Sequence, residues 1–197
     1  MSAEFLRTVR EETDRLSRTV ARGTVDGTSA PEKAALVDIE GDVRRAAQDG
    51  IESGVRYLRA HSLRTFVPAN LIDLNSAVVG ATLSRRGLRT FDVERYAYTP
   101  ASEIATEIAD FAARLRTYGE PATRQEAIDR MFDIHWSLNL RGHYFFDACG
   151  RTATLLGCWV ANLTCEDVPR LPPRDLYLQV PLARSPLDSW RLLVGES

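Results

Sequence analysis

Lysine is almost missing from this chain: Lys33 is the only one, and arginine carries the rest of the positive charge. That bias reads as the base composition of the coding DNA and carries little functional weight. Excess charge of either sign is missing too. A formal net charge of -2 and a pI near 6.0 remove the electrostatic ground for nonspecific nucleic-acid binding, and there is no basic tail or arm. No apolar run approaches the roughly eighteen residues that span a bilayer. No basic region followed by an apolar stretch opens the chain, so neither a membrane nor a nucleic acid is expected as a partner. Cysteine is scarce: Cys149, Cys158 and Cys165 are odd in number and form no C-x-x-C pair, which argues against a disulfide framework or a zinc site and fits a reducing cytoplasm. Internal repeats and low-complexity tracts are likewise missing.

What remains is a chain of 197 residues, 44% hydrophobic, long enough for one well-buried core and short for two full domains. A single domain over 1–197 is expected. Phe5, Val9, Leu16 and Val20 share one helical face, with Glu11, Glu12, Arg15 and Arg18 elsewhere. Ser29-Ala30-Pro31-Glu32 is a capping box with an early proline; it opens a helix through Leu36, Val37 and Val43 that is expected to break or bend near Gly50 and Gly54. A further helix is expected over Ile51 to Ala60, and another from Asn70 to Leu83, stopping around Gly87. Thr90 to Tyr98 has the aromatic and β-branched content of a short hairpin or edge strand. Thr99-Pro100 caps a strongly periodic helix with Ile104, Ile108, Phe111 and Leu115 on one stripe. Thr123-Arg124-Gln125-Glu126 is another capping box, whose helix turns Ile128, Met131, Phe132, His135 and Leu138 inward. In the proline-rich tail, Tyr177 to Leu182 and Trp190 to Val194 are able to pack back. The expected fold is mostly α with a small β-hairpin flap.

Chemistry concentrates in Gly142-His143-Tyr144-Phe145-Phe146-Asp147-Ala148-Cys149-Gly150-Arg151-Thr152. Leu155, Leu156, Trp159 and Val160 follow at helical spacing, so the turn Ala148-Cys149-Gly150 falls at a helix N-terminus, where free N–H groups and the helix dipole favour an anion. A nucleotide phosphate is the expected guest. His143 is the candidate base for a hydroxyl acceptor; the alternative is a histidine that ends the preceding helix and caps its carbonyls. Asp147 is the candidate ligand for Mg²⁺ against donor phosphates, or an Asx-type cap. Arg151 can fork onto phosphate oxygens, or sit in a surface ion pair. Cys149 is a packed small residue or a thiol activated by the helix terminus. His135 reads as a buried, hydrogen-bonded core histidine and His61 as a helix-end residue.

At these residues the chain resembles the Fic/Doc family, whose signature is H-x-F-x-[D/E]-G-N-G-R-x-x-R; here it reads His143, Phe145, Asp147, Ala148, Cys149, Gly150, Arg151, with Thr154 in place of the closing arginine. Ile134-His135-Trp136 is similar to the family's hydrophobe-His-aromatic, Gly87-Leu88-Arg89 to its G-x-R, Tyr98-Thr99-Pro100 to its proline-started helix, and Ile39-Glu40-Gly41 to its I-E-G. The resemblance implies a Fic core over 70–164, preceded by N-terminal helices (1–60) and followed by a C-terminal extension (165–197). It implies a transferase that moves a phosphate-containing group, most simply AMP, from Mg²⁺-bound ATP or another nucleoside triphosphate to a hydroxyl. His143 would be the base, Asp147 the metal ligand, Ala148, Cys149 and Gly150 the anion cradle, and Arg151 the phosphate clamp. Ala148 is similar to Doc-type kinases and phosphocholine-transferring relatives, which keeps phosphate or headgroup transfer open; a nucleotide-binding or interaction module without chemistry is the third reading. With Thr154 in place, Glu40 has no arginine to pair with as an inhibitory carboxylate, and Leu36 stands where that motif wants Ser or Thr. Arg95, Tyr96 and Tyr98 either position an acceptor or form a solvated edge.

Overall fold

The computed structural model describes residues 4–13, 48–80, 86–93, 97–118, 123–162 and 168–195. Among them are eight α-helices and no strand: α1 (4–13), α2 (48–60), α3 (Pro68–Val79), α4 (Ile104–Thr117), α5 (Arg124–His135), α6 (Cys149–Asn162), α7 (Arg174–Tyr177) and α8 (Pro186–Gly195). The readings that rest on Leu16, Val20, the Ser29 capping box, Leu36, Ile39-Glu40-Gly41, Arg95 and Tyr96 lie outside the described residues.

The central element is α6. Ala153, Leu155, Leu156, Cys158, Val160 and Ala161 are all buried, so this helix is covered on nearly every side and packs most heavily against α5. The main core joins it to Phe5 and Val9 of α1, Val55 and Leu58 of α2, Leu71, Leu74 and Val78 of α3, and the stripe Ile104, Ile108, Phe111 and Leu115 of α4. A second cluster sets Met131 and Ile128 of α5 against Tyr177, Val180, Trp190 and Val194 of the tail. The tail therefore does pack back, fixed by Trp190 Nε1 donating to Ile128 O (3.0 Å) and by Arg191 forking onto Asp129 at 2.8 and 2.7 Å.

Several boundaries differ from expectation. Helix α2 runs unbroken through Gly50 and Gly54, because there the glycines serve interhelical approach: a Cβ on Gly50 would lie 2.0 Å from Val78 O, and one on Gly54 2.5 Å from Leu155 Cδ2. Leu83 lies outside the described residues; helix α3 spans Pro68–Val79, and Gly80 takes φ +65°. Its start is capped by Val67 N donating to Asn70 Oδ1 (2.9 Å) with Pro68 at the first helical position. Helix α4 begins at Ile104 rather than at Thr99-Pro100, since Thr99 N donates to Arg141 O (2.9 Å) and so binds another segment. At Thr123 the capping reading holds: its hydroxyl accepts from Glu126 N at 3.1 Å. Glu12, expected on the polar face, is buried and accepts from Leu171 N at 2.9 Å.

The β-hairpin flap expected over Thr90 to Tyr98 does not form among the described residues of that stretch. A single antiparallel bridge joins Leu88 to Phe145. The backbone on both sides is already committed elsewhere: Arg89 N donates to Tyr144 O (2.9 Å), Phe146 N to Gly87 O (3.2 Å) and Thr99 N to Arg141 O. Among the described residues, the backbone flanking the expected hairpin on both sides thus bonds to the 141–146 segment.

Candidate active site

Helix α5 passes without a break into a π-helical turn, Trp136–Leu140. Such wide turns are rare and recur at functional sites. Its closing bonds run from Arg141 N (2.9 Å) and Gly142 N (3.0 Å) to Trp136 O. Gly142 is required here, because a Cβ would stand 1.6 Å from Ser137 O. The chain then reverses through His143 at φ +48°, a conformation that an L-residue holds only when its surroundings enforce it.

Arg89 enforces it. Its side chain is almost wholly buried, with Nε donating to His143 O (2.7 Å), Nη1 to Phe91 O (2.8 Å) and Nη2 to Thr99 O and to Gly142 O (3.5 Å). One planar guanidinium thus ties four carbonyls from two segments. The His143 ring lies flat against Tyr98, centroids 4.2 Å apart and planes within 5°, and Nδ1 faces Asn139 O at 3.4 Å. With Nδ1 as the donor to that carbonyl, Nε2 is left as the basic nitrogen. Burial holds the imidazole below its ordinary pKa; the Asn139 carbonyl opposes this, the Arg89 charge adds to it, and Asp147 opposes it. A histidine so held is neutral, and able to accept a proton, around neutral pH.

At the start of α6 the expected turn is present. Ala148 takes φ +59° and Cys149 begins the helix, which places the first turn's N–H groups where a helix N-terminus favours an anion. Asp147 Oδ1 accepts from Ala148 N (2.6 Å) and Oδ2 faces Arg151 Nη2 at 3.5 Å. The ion-pair alternative for Arg151 is therefore realised with Asp147, and His143 faces a carbonyl of the preceding helix as its capping alternative has it. Asp147 bonds its own neighbour's N–H, and it is still partly exposed on the cleft, with 41% of its side-chain surface accessible, so acceptor capacity remains. Among the described residues no group of three His, Cys, Asp or Glu side chains could hold a metal. One carboxylate suits Mg²⁺ that is carried mainly by phosphates and water, and would not make an all-protein site.

His143, Asp147, Ala148, Cys149, Gly150 and Arg151 all line one cleft of about 790 Å³. Thr154 lines it as well, but its hydroxyl donates back to Gly150 O at 2.9 Å. Cys149 corrects the activated-thiol reading: it is buried, its Sγ donates to Phe145 O at 3.4 Å, and burial pushes the thiol up to about 12. The helix terminus favours a thiolate, but the loss of solvent outweighs it. His135 is a core histidine as expected, with Nδ1 2.9 Å from Tyr177 OH; His61 lies at the end of α2, its Nδ1 2.8 Å from Tyr57 O.

The residues that support the site have no such role in the sequence analysis. Arg89 stands there only within Gly87-Leu88-Arg89. Asn75 of α3 is buried, and its amide donates to Asp147 O (2.9 Å) and Thr152 Oγ1 (3.1 Å), which fixes the anion turn; a polar residue among Leu71, Leu74 and Val78 was the available signal. Asn139 and Tyr177 are joined by a 2.8 Å hydrogen bond behind His143. Arg174, Leu178 and Leu182 bring the C-terminal segment into the cleft wall.

No protein-family model matches this chain, and no curated protein or solved structure matches it.

Proposed function

We propose that this chain is a Fic-type transferase that moves a phosphate-containing group, most simply AMP, from a Mg²⁺-bound nucleoside triphosphate to a hydroxyl acceptor. The observation that carries the reading is the convergence of His143, Asp147 and the Ala148 to Arg151 turn on one cleft. His143 Nε2 takes the acceptor's proton as the acceptor oxygen bonds the α-phosphorus and the bond to pyrophosphate, the leaving group, breaks; the N–H groups at the start of α6 hold the phosphate oxygens; Arg151 adds a positive charge that would exchange Asp147 for phosphate. Asp147 would hold Mg²⁺, which supplies charge neutralisation on the donor. The Fic-like helical core is part of this proposal.

The back-bonded Thr154 favours a second reading within the same class. No cation stands at that position to grip the outer phosphates, so transfer of phosphate or a phosphodiester headgroup from an inverted donor is the alternative. Titration calorimetry with ATP, with and without Mg²⁺, separates the two when repeated on Thr154→Arg. An added charge-assisted contact is worth about 1.5 to 3 kcal/mol, so tighter triphosphate binding supports the AMP-transferring orientation. Unchanged or weaker binding supports the inverted donor. Absence of nucleotide binding in the native protein would remove both.

A further inference from the structure

In the wall of the cleft, a single phenol oxygen meets two groups from the same helical stretch. Asn139 Nδ2 donates to Tyr177 OH at 2.8 Å, and His135 Nδ1 lies 2.9 Å from it. His135 and Asn139 sit four residues apart, at the end of α5 and within the π turn. Tyr177 comes from α7 in the C-terminal segment and is 2% exposed. Among the described residues His135 Nε2 has no partner, so the phenol is the ring's one polar tie. The Asn139 amide also lies beneath the anion turn, 3.5 to 3.7 Å from where a Gly150 Cβ would be. On its backbone side, Asn139 O is the group that faces His143 Nδ1 at 3.4 Å. That is near the limit of a hydrogen bond, so a shift of a few tenths of an ångström in the turn would break it.

We propose that Tyr177 is a positioning residue: its hydroxyl anchors the π turn through Asn139 and His135, and so keeps the Asn139 carbonyl on Nδ1 of His143 and leaves Nε2 as the basic nitrogen. The C-terminal segment is thereby part of the site's alignment and not only of its wall. The turnover arm of the test rests on His143 acting as the base; the spectroscopic arm does not.

The experiment is long-range ¹⁵N NMR of the histidine rings in the full chain, native and Tyr177→Phe, at a pH where His143 is neutral. The native His143 should show a protonated Nδ1 and an unprotonated Nε2. Tyr177→Phe, which keeps the ring and removes only the hydroxyl, should give averaged shifts from both tautomers. In turnover, kcat should fall about ten- to a hundredfold with the donor KM within about twofold, the pattern of misaligned chemistry and intact binding. Asn139→Ala cuts the same tie from the other side and serves if Tyr177→Phe does not fold. The double variant should be no worse than Tyr177→Phe alone, because Asn139→Ala removes only one of the two ties that the loss of the hydroxyl removes. Native-like His143 shifts in either folded variant, or losses that add in the double, would overturn the proposal. Shifts that move in a protein without transferase activity would leave the positioning role standing and sink the functional reading alone.

Discussion

Replacing Arg89 with methionine keeps most of the buried stem and removes the guanidinium that spans the carbonyls of His143, Phe91, Thr99 and Gly142. Hydrogen bonds to a charged donor are worth about 1.5 to 3 kcal/mol each. The two firmest by geometry, to His143 O at 2.7 Å and Phe91 O at 2.8 Å, therefore represent roughly 3 to 6 kcal/mol. Part of this is recovered because a cation no longer has to be buried; its nearest carboxylate, Asp92, is 3.9 Å away and largely exposed. A net loss of about 2 to 4 kcal/mol is expected. At about 2 to 4 °C per kcal/mol for a chain of this size, Tm should fall by roughly 4 to 16 °C. Arg89→Lys should lose nearly as much, since one ammonium cannot span carbonyls on two segments. Thermal unfolding followed by far-UV circular dichroism measures the shift, and the His143 ring signals report whether its conformation survives. A change of under about 2 °C in both variants, with His143 unaltered, would refute the idea that Arg89 holds the site loop.

Gly142→Ala should destabilise the protein by more than an ordinary overpacking change of about 1 to 3 kcal/mol, since its Cβ meets backbone at Ser137 O; chemical denaturation checks this. Cys149 and Cys158, both buried and both with burial raising the thiol above its ordinary value, should resist iodoacetamide at pH 8 until the protein unfolds, and fast labelling of native Cys149 by mass spectrometry would contradict its placement. Burial lowers the His135 pKa to about 3, so the unfolded chain binds one proton more than the native state between the ordinary histidine value and that point. Stability should therefore fall as pH drops from about 6.5 toward 3, with a shallower fall in a His135→Asn variant measured by denaturant titration; equal slopes would show that His135 is not buried neutral.

The cleft residues were legible in the sequence because they are local: His143, Asp147, Ala148 and Arg151 fall within nine positions beside an apolar helix, and short spacing alone brings them together. The α4 stripe and the Thr123 cap were legible for the same reason, through periodicity and cap chemistry. What holds the site was not legible, since those bonds are long-range: Arg89 reaches 54 positions to His143, Asn75 reaches 72 to Asp147, and Tyr177 reaches 38 back to Asn139. Composition suggests a hairpin over Thr90 to Tyr98, but strand propensity does not say which partner the backbone will find, and here the flanking residues Arg89 and Thr99 bond to the 141–146 segment. Cys149 shows a different failure. Its position at a helix terminus is legible from local spacing, while the burial that decides its chemistry comes from its place in the main core, which only the tertiary fold supplies.

The most direct test of the central claim is intact-mass analysis of the native protein and His143→Ala after incubation with each nucleoside triphosphate and Mg²⁺, together with analysis of the small-molecule products. The account predicts transfer of a nucleotidyl or phosphoryl group, to the protein itself or to an added hydroxyl acceptor, in the native chain, and its loss in His143→Ala while nucleotide binding persists. Equal transfer by His143→Ala, or no covalent product with any nucleotide, would contradict it.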